Sequence, residues 1–146
     1  MSQKIDVPAG NSGELPAEDW LEINQLISEF NFHLGSGNAE AYAALFTVDG
    51  SFLREGRAAV VGRKNLVEFI KERSKRPDAR TRTQWGSNVV IRPFADGAVA
   101  ESYQMIVDQV AGGYRIGGVH VKVDELRKEN GKWRFHSRRN VSMRGE

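Results

Sequence analysis

What most constrains this chain is a change of hydrophobic period part-way along it. Between Ala17 and Leu34 the apolar residues Trp20, Ile23, Ile27, Phe30 and Leu34 recur at intervals of three and four, one face of an amphipathic helix. From Thr81 onward the apolar residues alternate instead, as at Val119, Val121 and Val123, the period of a strand with one covered face. A chain that starts helical and finishes in long strands has to lay its helices on one face of a sheet. That is an α+β arrangement.

Turn residues divide the rest. Gly35-Ser36-Gly37-Asn38 ends the first helix, because Gly and Asn accept the left-handed conformation of a C-cap. A short helix is predicted from Ala39 to Phe46, and Asp49-Gly50 reads as a turn. Short strands follow at 51–54 and 58–61, around Glu55-Gly56. Gly62 opens a third helix with Leu66, Val67, Phe69 and Ile70 apolar, and Pro77 cannot continue it. Long strands are predicted over 81–92, 98–110, 114–129 and 133–142. The turns between them fall at 93–97, at Ala111-Gly112-Gly113 and at Asn130-Gly131, the strongest hairpin signal in the chain. Residues 1–16, rich in Gly, Ser, Asn and Pro, are expected to form a flexible tail, and 17–146 a single domain.

Composition narrows the function classes. The chain has no cysteine, which removes disulfides, thiolate metal sites and cysteine nucleophiles. No apolar run reaches membrane-spanning length and residues 1–16 lack a secretory pattern, so a cytoplasmic address and no membrane partner are expected. Net charge is only +2, but it is unevenly spread. Residues 71–82 hold Lys71, Arg73, Lys75, Arg76, Arg80 and Arg82 against Glu72 and Asp78. This run reads as a solvated helix end and loop, since cations suit a helix C-terminus. No aromatic interleaves it before Trp85, so nucleic acid is not an expected partner.

The chain carries Gly-x-Gly-Asn after its long helix, then Ala44-Leu45-Phe46-Thr47, Asp49-Gly50-Ser51-Phe52 and Val61-Gly62-Arg63 opening a helix. It closes on Asn130-Gly131-Lys132-Trp133-Arg134-Phe135. Over about Ala17 to Val141 this order resembles the SnoaL-like group of the nuclear transport factor 2-like (NTF2-like) superfamily. The resemblance implies a cone of three N-terminal helices packed on a curved antiparallel sheet enclosing an apolar cavity; many such members are dimers or trimers, and a homodimer is expected here. The superfamily holds polyketide cyclases, scytalone and bile acid dehydratases, a dehydrochlorinase, ketosteroid isomerases, small oxygenase subunits and members without chemistry. Fold therefore does not decide function here.

In dehydratase-like members an Asp near the end of the first helix orients a His at the start of the first long strand, and the His acts as general base. The matching positions hold Gly35, or Asn38 with a shift, and Gln84 or Trp85. Both members of the dyad are missing, and neither Gln nor Trp accepts a proton near neutral pH. The same resemblance places a second acid or base late on a long strand, which points to Asp108. Desolvation in an apolar cavity would raise its pKa, whereas an Asp at a hairpin end would be solvated. His120, Lys122 and Asp124 share one face of a strand and the valines the other. Alternation leaves open which face is inward. If the first set is inward, His120 is the best remaining proton-transfer group and Lys122 a partner for an anionic ligand group, while the valines suit a subunit interface.

Candidate cavity walls are Trp85, Tyr103, Met105, Phe30 and Phe52, with Gln84, His33 and Asn140 as polar ligand contacts. Core packing is the alternative for each aromatic, and a rim position for His33. The three histidines, His33, His120 and His136, lack metal-ligand spacing, so no metal site is expected. There is no phosphate loop and no Gly-x-Ser-x-Gly elbow. The expected ligand is a small hydrophobic cyclic molecule. The expected chemistry is dehydration, isomerisation or cyclisation by proton transfer without a cofactor. The alternatives are a non-catalytic binding domain and, more remotely, a small oxygenase subunit.

Overall fold

The structure, a computed structural model, describes residues 7, 8, 10 and 13–143. The elements run α1 (Ala17–Ser36), α2 (Ala39–Ala44), β1 (Phe46–Arg54), β2 (Val60–Val61), α3 (Arg63–Arg73), β3 (Arg82–Phe94), β4 (Gly97–Val110), β5 (Gly113–Glu129) and β6 (Lys132–Ser142). The strands form one curved, unclosed sheet in the order β2-β1-β6-β5-β4-β3, and the helices cover its inner face. No described helix is long and apolar enough to cross a membrane.

The predicted stripe of α1 faces the sheet. Ile23, Leu26, Ile27, Phe30 and Leu34 are buried, while Trp20 stays 45% exposed at the helix start. Gly37 ends the helix at φ 71°, and Asn38 caps α2 by accepting from the Ala41 amide at 3.2 Å. Phe30 is the centre of the core, with the rings of Tyr42, Phe46, Phe52 and Phe135 at 5.0, 6.3, 5.8 and 5.8 Å. Burying an aromatic of this size contributes about 1.5–3 kcal/mol.

Three local expectations change. Asp49-Gly50 is no turn but lies inside β1, which begins at Phe46. There the pairing with β6 shifts register between Phe46 and Ser51, and a Cβ at Gly50 would meet the Phe135 carbonyl at 2.9 Å. Glycine admits that close approach at an irregular strand. The β1–β6 pair is also parallel, so the sheet is antiparallel elsewhere but mixed at this joint. Pro93 lies within β3, which it can do because β3 is the edge of the sheet. Asn130 and Gly131 turn the β5–β6 hairpin as read, with φ of 53° and 76°.

On the outer face of the sheet Val99, Val121 and Val123 are buried under Val7 and Phe94. Within the stretch read as a tail, Val7 thus packs on the sheet and Leu15 on the main core, whereas residues 1–6, 9, 11 and 12 lie outside the described residues.

Candidate functional site

Register decides which face of β5 is inward. His120 pairs with Gln104 and Lys122 with Ser102 on β4, while Lys122 meets Asn140 and Asp124 meets Arg138 on β6. These residues share the inner face, and the valines face out. A cavity of about 300 Å³ opens between this face and the helices. Its floor is apolar, from Leu34, Phe52, Phe69 and Ile106. Its mouth and walls are cationic: Arg54 at the end of β1 and Arg57 just past it, Arg73 at the end of α3 and Arg76 just past it, Arg82 on β3 and Lys122 on β5. Among the described residues Glu55 is the one carboxylate that lines it.

Behind the cavity lies a buried charge cluster, to which Lys122 of its lining belongs. Asp124 and Arg138 are 0% and 1% exposed, with Oδ1 3.4 Å from Nε. The Arg138 guanidinium lies over Phe30 and Phe135, 4.1 and 4.6 Å from their centroids. Lys122, 1% exposed, holds Nζ 5.3 Å from Phe30 and 5.1 Å from Phe52. Burial, with Arg138 close by, pushes its amine well below the ordinary lysine range. Burial likewise raises the Tyr42 phenol and the Asp124 carboxyl, the latter against the pull of Arg138 and Lys122.

His120 sits nearer the open end, half-buried among Gln104, Ile106 and Lys122. Burial lowers its pKa, and the Lys122 charge lowers it further, with Glu55 opposing. The imidazole is therefore neutral at pH 7 and able to accept a proton. Beside it runs a chain of amides: Gln104 Nε2 donates to Asn31 Oδ1 at 3.0 Å and to Gln84 Oε1. Gln84 is one of the residues standing where the resemblance calls for His. The helix residue that joins it, through Gln104, is Asn31, not Gly35 or Asn38. Its signal was a polar residue four after Ile27 and three before Leu34, inside the apolar stripe.

Of the candidates, His120, Lys122, Gln84, Phe52 and Asn140 come together in the cavity. Asp108 does not belong to its lining. Arg82 Nε and Nη2 donate to its two oxygens at 2.7 and 3.2 Å, with Arg115 at 3.6 Å. The Arg82 bond holds the carboxyl below its ordinary pKa, the reverse of the expected rise, so Asp108 is a poor proton carrier. Trp85, Tyr103 and Met105 fall on the outer face, because Trp85 pairs with Met105 and Tyr103 with Val121. Trp85 is 63% exposed and lines, with Phe32, a separate groove of about 530 Å³ between α1 and β3. Phe30 is core rather than wall, and His33 is half-buried on α1 outside the cavity lining. No group of three or more His, Cys, Asp or Glu among the described residues is placed to hold a metal.

Over residues 16–139 the chain matches the SnoaL-like domain. It belongs to the SnoaL-like family. Solved structures of NTF2-like proteins share the architecture of this SnoaL-like chain. A Novosphingobium aromaticivorans NTF2-like protein with a cystatin-like fold superposes with a TM-score of 0.82 at 25% identity, over 88% of this chain and 84% of that one. A Nostoc punctiforme protein of unknown function with a cystatin-like fold is 30% identical, with a TM-score of 0.77 over 88% and 93%. A second Novosphingobium aromaticivorans protein, assigned by name to scytalone dehydratase, reaches 0.71 at 18% identity over 87% and 85%, a likeness of fold alone. No curated protein matches the SnoaL-like chain.

Proposed function

We propose that this SnoaL-like chain binds a small cyclic compound in the inner cavity and moves a proton on it, with His120 as acid and base and no cofactor. The observation that carries the reading is the position of His120, on the inner face, half-buried and kept neutral at pH 7. A neutral imidazole takes a proton from a carbon beside a ring carbonyl. The oxyanion that develops shares the cavity with the Arg54 guanidinium and the Lys122 amine, both hydrogen-bond donors. The imidazolium then returns the proton to a departing hydroxyl, completing loss of water, or to another carbon, completing an isomerisation. The proposed assembly is a homodimer in the cytoplasm, with neither nucleic acid nor a membrane as partner.

A second reading is a binding domain without chemistry. The chain of Asn31, Gln104 and Gln84 favours it, because amides do not titrate where the dehydratase-like members hold their acid and base. A thermal-shift screen against cyclic ketones, polyphenols and ring acids comes first, since a ligand of the native state raises Tm. Turnover of each hit is then followed by proton NMR. Under the catalytic reading His120→Gln lowers kcat by at least about a hundredfold and leaves binding in place. Binding without turnover decides for the second reading, and no shift with any ring compound overturns both.

A further inference from the structure

We infer that the ligand of the inner cavity is a ring compound bearing a carboxylate, held by Arg54 and Lys122. The inference rests on the reading of that cavity as a ligand site and adds the charge of what enters it. Six cationic side chains line the cavity against the single carboxylate of Glu55. Part of that excess is accounted for within the protein. Arg82 is bound to Asp108, and Arg73 Nη1 donates to the Leu34 carbonyl at 3.1 Å.

Arg54 and Lys122 are different. Arg54 lies over the Phe69 ring at 4.7 Å, and its Nε is buried with no hydrogen-bond acceptor among the described residues. Its charged neighbours Arg57 and Arg76 repel it. Lys122 is 1% exposed, lies over two rings, and has Arg138 and Arg54 as repelling neighbours against one attracting carboxylate, Asp124. A buried cation short of counter-charge is costly, and here Lys122 shares one buried carboxylate, Asp124, with Arg138. A ligand carboxylate provides the missing charge, with the forked geometry of a guanidinium suited to its two oxygens. The rest of the ligand then meets Phe52, Phe69, Leu34 and Ile106, an apolar floor suited to a ring. Asn140 Oδ1 is buried without a donor, so a hydroxyl on the ring has an acceptor waiting. At about 300 Å³ the space is at the low end for small-molecule sites, which suits one or two fused rings.

The test is titration calorimetry of the full chain with benzoate, 4-hydroxybenzoate and 2-naphthoate, each beside its neutral carboxamide. The carboxylates are expected to bind at least about tenfold more tightly than the amides, and more weakly as salt rises. Arg54→Gln should remove most of that preference, and the surface variant Lys132→Gln none of it. Lys122→Met should act like Arg54→Gln where it folds, and Arg54→Gln decides where it does not. Amides that bind as tightly as the acids overturn the carboxylate inference and leave the cavity reading standing. So does an acid preference that Arg54→Gln leaves untouched. If neither acids nor amides bind and the neutral rings of the thermal-shift screen do, the carboxylate inference again fails alone. If no ring compound of either set binds, the cavity reading falls with it.

Discussion

Asp124 and Arg138 show what a buried charge asks of its neighbours. Each is almost wholly buried, and each is the other's counter-charge under the ring of Phe30. Asp124→Asn leaves Arg138 and Lys122 with no anion beneath the cavity and should lower unfolding free energy by about 3–5 kcal/mol in urea titration. The double variant Asp124→Leu, Arg138→Met should recover most of that, and a double variant as unstable as the single would argue against an electrostatic cause. His120 gives a pH signature instead. Its pKa is lowered on folding by burial first and Lys122 second, so below its ordinary value of 6.5 the unfolded chain takes up a proton that the folded chain resists. Its stability contribution is intact above pH 6.5 and is lost as pH falls from there towards the folded value. Wild type should therefore lose stability relative to His120→Gln between pH 7 and 5, and parallel pH profiles would refute the burial of the imidazole. Alternation separated His120, Lys122 and Asp124 from the valines, but an alternating pattern has no inside or outside until its neighbours are placed. The same limit misplaced Trp85, Tyr103 and Met105, whose size suggested a wall and whose register put them outside.

Elements were legible wherever a periodic stretch ended in a turn residue, as α1 does at Gly37 and the β5–β6 hairpin does at Asn130-Gly131. They were misread where a turn residue serves a long-range contact, as at Gly50 beside Phe135, because nothing local announces the partner strand. Two glycines separate these cases by experiment. Gly35 is inside α1 and a Cβ there meets nothing within 4 Å. Gly35→Ala should stabilise the protein by about 0.5–1 kcal/mol through the entropy of the unfolded chain alone. Gly97 opens β4, and a Cβ there overlaps the carbonyl oxygen of Leu126 across the β4–β5 pair. Gly97→Ala has to shift backbone and should cost more than about 2 kcal/mol. Differential scanning calorimetry should move Tm in opposite directions for the two variants, and a shared sign would contradict the close approach at Gly97.

At the scale of the whole molecule, the basic run 71–82 and the outer sheet face each gain a meaning that local pattern withheld. The run looked like a solvated helix end, yet Arg73 at the end of α3, Arg76 just past it and Arg82 at the start of β3 all line the cavity. A count of charges reports that cations cluster, while only the path of the chain says what they surround. The outer face is covered in one part and open in another. Val7 and Phe94 cover Val99, Val121 and Val123, but Trp85, Tyr103, Tyr114, Ile116 and Val119 stay 63%, 46%, 76%, 62% and 39% exposed on the neighbouring strands. A monomer rarely leaves so many large apolar side chains together in water. A two-fold axis sets one such face against its own copy, the arrangement of a homodimer. The expected result by size-exclusion light scattering is a species of twice 16.3 kDa at micromolar concentration. Ile116→Lys should shift it to the monomer with little change in the far-ultraviolet spectrum, since that side chain is 62% exposed in a single chain and supports no core. Lys64→Gln, on the exposed side of α3, should leave the dimer intact. A wild-type monomer at every concentration would show that the open outer face serves something other than a second copy of this chain.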